Sequence, residues 1–264
     1  MFFKKIIPPF VCCLLKLIKI SVKYIINFNL IYKNKINHGS MCDKETVYVI
    51  GNGPSLNNFC LESIYDSDVI TMNYFYAHPE LNKLKIVAHC IGEPYGCSSW
   101  VDPTNMVKNT PAKTYWFNLS AAKFCKNKFS KYNIFYYPPA FEVDCSLFAS
   151  ANLILPSIQY QSTSQMAIMV AIHMGYKNIY LLGFDHDWLT TKKGFSPHFY
   201  NEDSESDEIK RADFSAFSYL DMINISKNLF EIYARIKKIA IKNNIKIVNL
   251  SNPSYLDIFP NSHV

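Results

Sequence analysis

Residues 46–56 have the sequence TVYVIGNGPSL, and this stretch decides the fold. Its first half, Thr46–Ile50, is β-branched and aromatic, which predicts a buried strand. Gly51 and Gly53 then predict a tight turn, and the following sequence predicts a helix over about 55–65. Such a turn presents backbone N–H groups and the positive end of a helix dipole, which suits a phosphate. An ordinary strand-to-helix turn explains the pattern equally well, because neither the third glycine of a dinucleotide motif nor the Gly-Lys-Ser/Thr of a P-loop follows.

The rest of the chain alternates strand-like and helix-like segments, which predicts an α/β fold with a mainly parallel sheet. Ser162 followed by Gln165 is a capping-box pattern and Gly175 is a helix stop, so a helix is predicted between them. Residues 189–212 are polar and predict a loop beside a site, and helical periodicity returns over about 214–239. The further predicted strands are Asp68–Met72, Leu84–Ile91, Thr114–Asn118, Ile134–Tyr137, Asn178–Leu182 and Ile245–Leu250.

The net charge is unevenly distributed along the 264 residues. The formal value is +6, yet residues 1–40 contain seven lysines and no acid, so the remaining 20 basic residues are matched by 21 acidic ones. A near-neutral body argues against a nucleic-acid-binding protein, which would carry a basic patch. None of the eight cysteines forms a C-x-x-C pair, which argues against a zinc ribbon. Without a clear export signal, this cysteine usage favours a cytoplasmic location.

The N-terminal segment has the pattern of an amphipathic helix. Residues 10–32 are apolar except for three lysines whose spacing places them on one helical face: Lys16, Lys19 and Lys23. Three lysines make a membrane-spanning helix costly, so we predict that residues 1–40 lie on the inner surface of the cytoplasmic membrane. A helix packed on the protein itself is the alternative. A polar linker over 34–44 is predicted to lead into a domain formed by residues 41–264.

Three polar clusters follow predicted strands, and parallel sheets bind ligands beyond the carboxyl ends of their strands. The first is the turn at 51–55. The second begins at Asn73, whose amide is suited to a ribose hydroxyl, a base edge or a phosphate. The third is Asp-His-Asp at 185–187, and its two carboxylates are of the kind that holds a divalent metal. His198, in the polar loop, offers an imidazole suited to accepting a hydroxyl proton near physiological pH.

These clusters resemble, in the same order along the chain, segments of two related protein families. The segments are VIGNGPSL at 49–56, MNYFY at 72–76 and MGYKNIYLLGFD at 174–185. One family is the bacterial sialyltransferases that use CMP-sialic acid. The other is the hydroxymethylpterin-pyrophosphokinase-like set, which includes the motility-accessory glycosyltransferases that modify flagellin and is also similar at 198–200 and 249–260. The resemblance covers about residues 45–260 and implies a single Rossmann-like domain.

The resemblance also implies an activity. It is an inverting glycosyl transfer from a CMP-activated donor, carrying sialic acid or a related nonulosonic acid, to a hydroxyl of a bacterial surface glycan such as lipopolysaccharide or capsule. The resemblance implies that no metal or other cofactor is required. His198 is implied as the base, with His186 as second candidate, and Tyr200 as a donor to the departing phosphate. The residues assigned to the nucleotide are Gly51, Asn52, Gly53, Ser55, Asn73, Ser164 and Asp185.

Two other functions stay open. Pyrophosphoryl transfer from ATP would require Mg²⁺, with Asp185 and Asp187 as its ligands. A non-catalytic nucleotide-binding subunit would bind CMP and turn over no acceptor. The two enzymatic alternatives differ in nucleotide and metal, so ligand binding separates them.

Overall fold

The computed structural model describes residues 9–39, 45–92, 103–141, 150–187, 189–190, 199 and 218–261. Within these residues seven strands form one sheet in which every pairing is parallel, and helices cover both of its faces. Its strands are β1 (Thr46–Ile50), β2 (Asp68–Met72), β3 (Lys85–Ile91), β4 (Tyr115–Asn118), β5 (Ile134–Tyr137), β8 (Asn178–Leu182) and β9 (Lys246–Asn249). Two short strands, β6 (Ala140–Phe141) and β7 (Ser157–Ile158), pair separately. The predicted α/β fold is confirmed.

Six α-helices and several 3₁₀ turns complete the described chain. The α-helices are α1 (Pro9–Ile26), α2 (Phe28–Tyr32), α3 (Pro103–Asn109), α4 (Ala122–Lys128), α5 (Thr163–Met174) and α6 (Tyr219–Lys242). The 3₁₀ helices are Lys33–Asn37, Pro54–Asn58, Leu61–Ile64, Asn73–Ala77, Leu81–Lys83 and Leu119–Ala121.

The order of the strands places a crevice beside β1. The order is β5-β4-β3-β2-β1-β8-β9, so the chain builds outward from β1 on one side and then returns to the other side with β8 and β9. Ile50, the last residue of β1, pairs with Leu182, the last residue of β8. The two strands therefore end side by side at the point where the order reverses, which is where open parallel sheets bind ligands.

The sheet is buried on both faces. Every residue of β2 is buried, as expected when helices cover both sides of a parallel sheet. On one face, Val47 and Val49 pack with the almost wholly buried α5 and with the inner side of α6. On the other face, Ile50 packs with the 3₁₀ turns that follow β1. Gly175 ends α5 in the left-handed conformation, with a φ of 96°.

The predicted helix over 55–65 is wrong. The structure has two 3₁₀ helices there, Pro54–Asn58 and Leu61–Ile64. Leu56 and Leu61 are both buried in the same core cluster although they are five residues apart, a spacing that one face of an α-helix does not provide. A turn of five residues has little cumulative dipole, so the helix dipole expected at this point is missing.

The predicted polar linker is also wrong at its start. Residues Lys33–Asn37 form a 3₁₀ helix in which Asn34 is fully buried. Its side-chain amide donates to the carbonyl of Tyr136 at 2.8 Å and to that of Leu153 at 2.7 Å. The segment thereby satisfies a backbone acceptor of the edge strand β5, which would otherwise be open to other chains. Residues 40–44 lie outside the described residues.

The predicted N-terminal helix is confirmed as α1, and it rests partly on the body. The Tyr24 hydroxyl donates to the carbonyl of Ile154 at 2.9 Å, and α1 packs near β6. Its outward face is apolar and exposed, and comprises Leu14, Leu15, Ile18, Val22, Ile25 and Ile26. Among the described helices, none is both long enough and apolar enough to cross a bilayer.

Candidate functional site

A pocket lies where β1 and β8 end together. Its walls are the turn after β1, the start of the turn after β2, the first turn of α5 and the turn after β8. Its volume of about 180 Å³ is smaller than the roughly 300–1,000 Å³ of pockets that enclose drug-sized ligands. The described walls therefore enclose a small ligand or one part of a larger one. The pocket brings together the predicted residues Gly51, Asn52, Gly53, Asn73, Ser164, Asp185, His186 and Asp187.

The two glycines after β1, Gly51 and Gly53, allow the chain to pack closely against the end of β8. The amide of Gly51 donates to the carbonyl of Leu182 at 2.7 Å, and that of Gly53 donates to the carbonyl of Gly183 at 3.0 Å. A Cβ on Gly51 would lie 2.4 Å from the oxygen of Gly183. These two amides are therefore already bonded to β8 and its turn, whereas the assignment of Gly51 and Gly53 to a nucleotide stays a prediction.

Asp185 is a buried carboxylate with one oxygen available. Its Oδ2 accepts a hydrogen bond from the amide of Ser55 at 3.2 Å, whereas its Oδ1 is buried with no partner among the described residues. Ser55 thus supports Asp185 and does not itself line the pocket. Burial raises the pKa of the Asp185 carboxyl above its ordinary value, and the charge of Asp187 acts in the same direction. Such a group is suited to accept a hydrogen bond from a hydroxyl or amino group, and it repels a phosphate.

Two asparagines add further unpaired acceptors. The Oδ1 atoms of Asn52 and Asn73 are buried and have no partner in the described part of the chain. The side-chain amide of Asn73 donates to the hydroxyl of Thr163 at 3.1 Å, which fixes its orientation. Asn73 also has a left-handed backbone with a φ of 47°, a conformation that is often found at ligand sites. Buried polar atoms that lack a hydrogen-bond partner in the protein indicate that a ligand or a water molecule supplies the missing hydrogen bond.

The beginning of α5 provides the donors that the glycine turn lacks. Thr163 and Ser164 are the first two residues of this 12-residue helix, and no described residue accepts a hydrogen bond from their amides. The Gln165 side chain accepts from the amide of Ser162 at 3.2 Å, which confirms that side of the predicted capping box. Because the N-terminus of a helix attracts anions, the pocket's best phosphate position is here.

A buried hydrogen-bond network joins α5 to α6 beneath the pocket. The Nε2 atom of His186 lies 2.9 Å from the hydroxyl of Tyr233, and that hydroxyl lies 2.8 Å from the Ser164 hydroxyl. Ser164 in turn lies 2.6 Å from the hydroxyl of Ser162. Sequence analysis missed Tyr233, although a hydroxyl within the apolar stripe of a long helix was a signal. Burial lowers the pKa of His186 to about 4, so its imidazole is neutral at physiological pH and a weak base.

The predicted loop returns to the pocket at Phe199. The amide of Phe199 donates to the carbonyl of Asn52 at 3.0 Å, and its ring packs against the ring of His78. His198 and Tyr200, the predicted base and phosphate donor, lie outside the described residues, as does most of the loop over 189–212.

The two carboxylates of the Asp-His-Asp cluster both line the pocket. No group of three or more metal-ligating side chains occurs among the described residues. Mg²⁺ is commonly held by one or two carboxylates together with substrate phosphates. Asp185 and Asp187 are therefore of the type that a magnesium nucleotide would use.

The fold and the pocket define a parallel α/β protein with a small-ligand site at the switch point of its sheet. Among solved structures, the chain is similar to the MAf glycosyltransferase from Magnetospirillum magneticum AMB-1, with 13% sequence identity and a TM-score of 0.50. The similarity covers 90% of this chain and 38% of that one, so this chain spans well under half of that protein. At this identity the likeness shows the fold alone. No protein-family model and no curated protein sequence matches the chain.

Proposed function

We propose that this protein is an inverting glycosyltransferase that binds a CMP-activated sugar, sialic acid or a related nonulosonic acid, in the pocket between β1 and β8. It transfers that sugar to a hydroxyl of a bacterial surface glycan. The observation that carries the proposal is the set of buried, unpaired oxygens of Asn52, Asn73 and Asp185 beside the N-terminus of α5. The likeness in fold to a protein named as a glycosyltransferase supports it.

Two walls of the pocket suit different parts of cytidine monophosphate: one offers hydrogen-bond acceptors and the other offers donors. The oxygens of Asn52 and Asp185 accept hydrogen bonds, so they suit the ribose hydroxyls and the amino group of cytosine. The amides of Thr163 and Ser164 donate them, so they suit the single phosphate. During transfer this phosphate departs with increased negative charge, and fixed donors at a helix N-terminus stabilise that charge.

The acceptor hydroxyl needs a base, and we assign this role to His198, with Tyr200 as a further donor to the phosphate. The assignment rests on the family resemblance. It is supported by the bond between Phe199 and Asn52, since Phe199 lies between the two residues in the sequence. His186 is the weaker candidate for the base, because burial lowers its pKa to about 4.

We further propose that α1 holds the enzyme on the inner face of the cytoplasmic membrane, where a surface glycan is built. The outward apolar face of α1 supports this, because such a face is suited to the boundary between lipid headgroups and acyl chains. The partners are then the nucleotide-sugar donor and a glycan acceptor at that membrane.

Thermal unfolding with added nucleotides tests the donor site. CMP at one hundred times its Kd should stabilise the fold by about 2.7 kcal/mol, which raises Tm by about 5–10 °C for a chain of this size. Asp185→Asn should abolish most of the shift, whereas Asp257→Asn, at an exposed aspartate, should retain it. A shift with ATP and Mg²⁺, and none with CMP, would instead support pyrophosphoryl transfer.

Turnover of a CMP-activated donor with an acceptor glycan tests the catalytic role of His198. His198→Ala should lose at least about a hundredfold in kcat, as expected for removal of a general base. His38→Ala, at an exposed histidine, is the matched control. Unchanged turnover by His198→Ala would show that another group takes the proton, and CMP binding without any turnover would favour a non-catalytic subunit.

A further inference from the structure

A second cleft lies on the same edge of the sheet as the pocket, between α1 and the carboxyl ends of β4 and β5. Its volume is about 490 Å³, within the range of small-ligand sites. On the α1 side it is lined by Lys16, Lys19, Lys23 and the apolar Ile20. On the body side the polar residues Asn118, Gln159 and Tyr160 line it together with an apolar set, Leu119, Tyr137, Pro138, Pro139 and Ala140. None of the described residues that line this lysine cleft is acidic.

α1 presents apolar side chains outward as well as toward the body. Such a helix normally turns its apolar face to the core and its charges to water. Here Ile20 and Tyr24 are half-buried, and Lys19 and Lys23 line the cleft while remaining exposed. Leu15, Ile18 and Val22 are nevertheless 53%, 51% and 49% exposed. An apolar face left open in this way marks a surface that contacts something else.

The lysines also repel one another. They are spaced three and four residues apart on one helical face, where like charges destabilise a helix. An anion seated in the cleft would relieve this repulsion, and the amide and hydroxyl groups across the cleft would add hydrogen bonds to it.

The cleft and the nucleotide pocket are neighbours. Tyr160 lines the cleft and Ser162 lines the pocket, so at most about 7 Å of extended chain separates these two residues. The intervening wall is fixed, because the Tyr160 hydroxyl donates to the carbonyl of Gly92 at 2.9 Å and accepts from the Asn118 amide at 2.7 Å. A molecule held in the cleft therefore lies beside the proposed donor.

We propose that the lysine cleft binds the phosphoryl group of a membrane lipid, and that the acceptor is a glycan linked to a lipid through phosphate. The apolar outer face of α1 lies on the lipid surface, the lysines hold the phosphate, and the glycan extends toward the pocket. This inference rests on the proposed function in taking the pocket as the donor site. The exposed apolar face favours a lipid over a soluble phosphate as the source of the anion.

Vesicle co-sedimentation tests the cleft. Phosphatidylcholine vesicles containing phosphatidic acid are compared with vesicles brought to the same surface potential with cholesteryl hemisuccinate, whose anion is a carboxylate. The wild type should bind the phosphate-bearing vesicles about tenfold more tightly. Replacing Lys19 and Lys23 together by glutamine should weaken that binding by about thirtyfold, from the usual contribution of each lysine near an anionic surface, and should abolish the preference.

Matched variants distinguish binding of phosphate in the lysine cleft from general attraction between positive charge and the vesicle surface. The double change Lys35→Gln and Lys126→Gln removes equal charge at exposed positions outside the cleft, and it should keep the preference for phosphate. Equal binding of both vesicles by the wild type, or equal loss of preference in both double variants, would overturn the proposal. Release of the protein by inorganic phosphate at the same concentration as the lipid phosphate would overturn the lipid source.

Two further measurements separate this inference from the proposed function. Ile18→Ser with Val22→Ser should weaken binding to both kinds of vesicle alike while keeping the phosphate preference, because it removes apolar contact only. The Tm shift with CMP is measured on the same preparations. If the protein prefers phosphate-bearing vesicles but CMP does not raise its Tm, the proposed donor site is refuted and the lysine cleft is not. If CMP raises its Tm but the protein binds both kinds of vesicle equally, the lysine cleft alone is refuted.

Discussion

Replacing Tyr233 by phenylalanine tests the network beneath the pocket. The Tyr233 side chain is fully buried, and its hydroxyl bridges His186 and Ser164 at 2.9 and 2.8 Å. Phenylalanine keeps the ring and removes both hydrogen bonds. At a net contribution of about 1 kcal/mol for each, the fold should lose about 2 kcal/mol. A chain of this size should then melt about 4–8 °C lower.

The variant should also bind CMP less tightly. Without Tyr233 the Ser164 hydroxyl loses a partner that orients it at the start of α5, so we expect the Kd for CMP to rise about fivefold, equivalent to roughly 1 kcal/mol. Tyr255→Phe, at a tyrosine that is 54% exposed, is the matched control and should change neither property. Calorimetric titration measures the affinity, and thermal unfolding measures the stability.

Two results would refute this reasoning. If Tyr233→Phe melts at the same temperature as Tyr255→Phe, the buried hydrogen bonds contribute nothing to stability. If it melts lower but binds CMP with the affinity of the wild type, the network is structural and does not orient Ser164 for the ligand.

Three further predictions concern Gly53, Asp185 and Gly175. Gly53→Ala should cost about 1–3 kcal/mol, measured by urea unfolding, because its Cβ would lie 1.8 Å from Oδ2 of Asp185 and 2.7 Å from the carbonyl oxygen of Gly183. An unchanged midpoint would contradict this crowding. Burial raises the pKa of the Asp185 carboxyl in the folded protein, so the fold favours the protonated form. The stability gained from this protonation is complete below the ordinary carboxyl pKa and is lost as the pH rises through the raised value. Asp185→Asn should therefore melt higher than the wild type at neutral pH and show less loss between acid and neutral pH, whereas Asp257→Asn should follow the wild type. Gly175→Ala should destabilise by about 1 kcal/mol in thermal melts, because its φ of 96° is unfavourable for alanine; no change in Tm would contradict this.

The strands were predictable from local sequence because each is a short apolar run with a clear break at its end. β1, β2, β5 and β8 have the predicted bounds. The helix α5 was predictable for a similar reason, since Ser162, Gln165 and Gly175 mark its two ends chemically. Signals of this kind lie within a few residues of the element they define.

The failures have a different physical origin. The amides of Gly51 and Gly53 were expected to be open, but their acceptors belong to Leu182 and Gly183, about 130 residues further along the chain. The role of Asn34 in covering β5 and that of Tyr233 beneath the pocket also depend on distant partners, 102 and 47 residues away along the chain. Local patterns predict where a turn is, and only tertiary contact decides which of its hydrogen-bonding groups remain available.

The pairing of β1 with β8 has a consequence for synthesis of the protein. β1 leaves the ribosome early, and its partner on one side is encoded only at residues 178–182. Until then that flank of β1 is an unpaired edge, which is prone to association with other chains. The pocket forms only when β8 and the turn after it have been synthesised. A bound ligand therefore cannot stabilise the first two thirds of the chain while it folds on the ribosome.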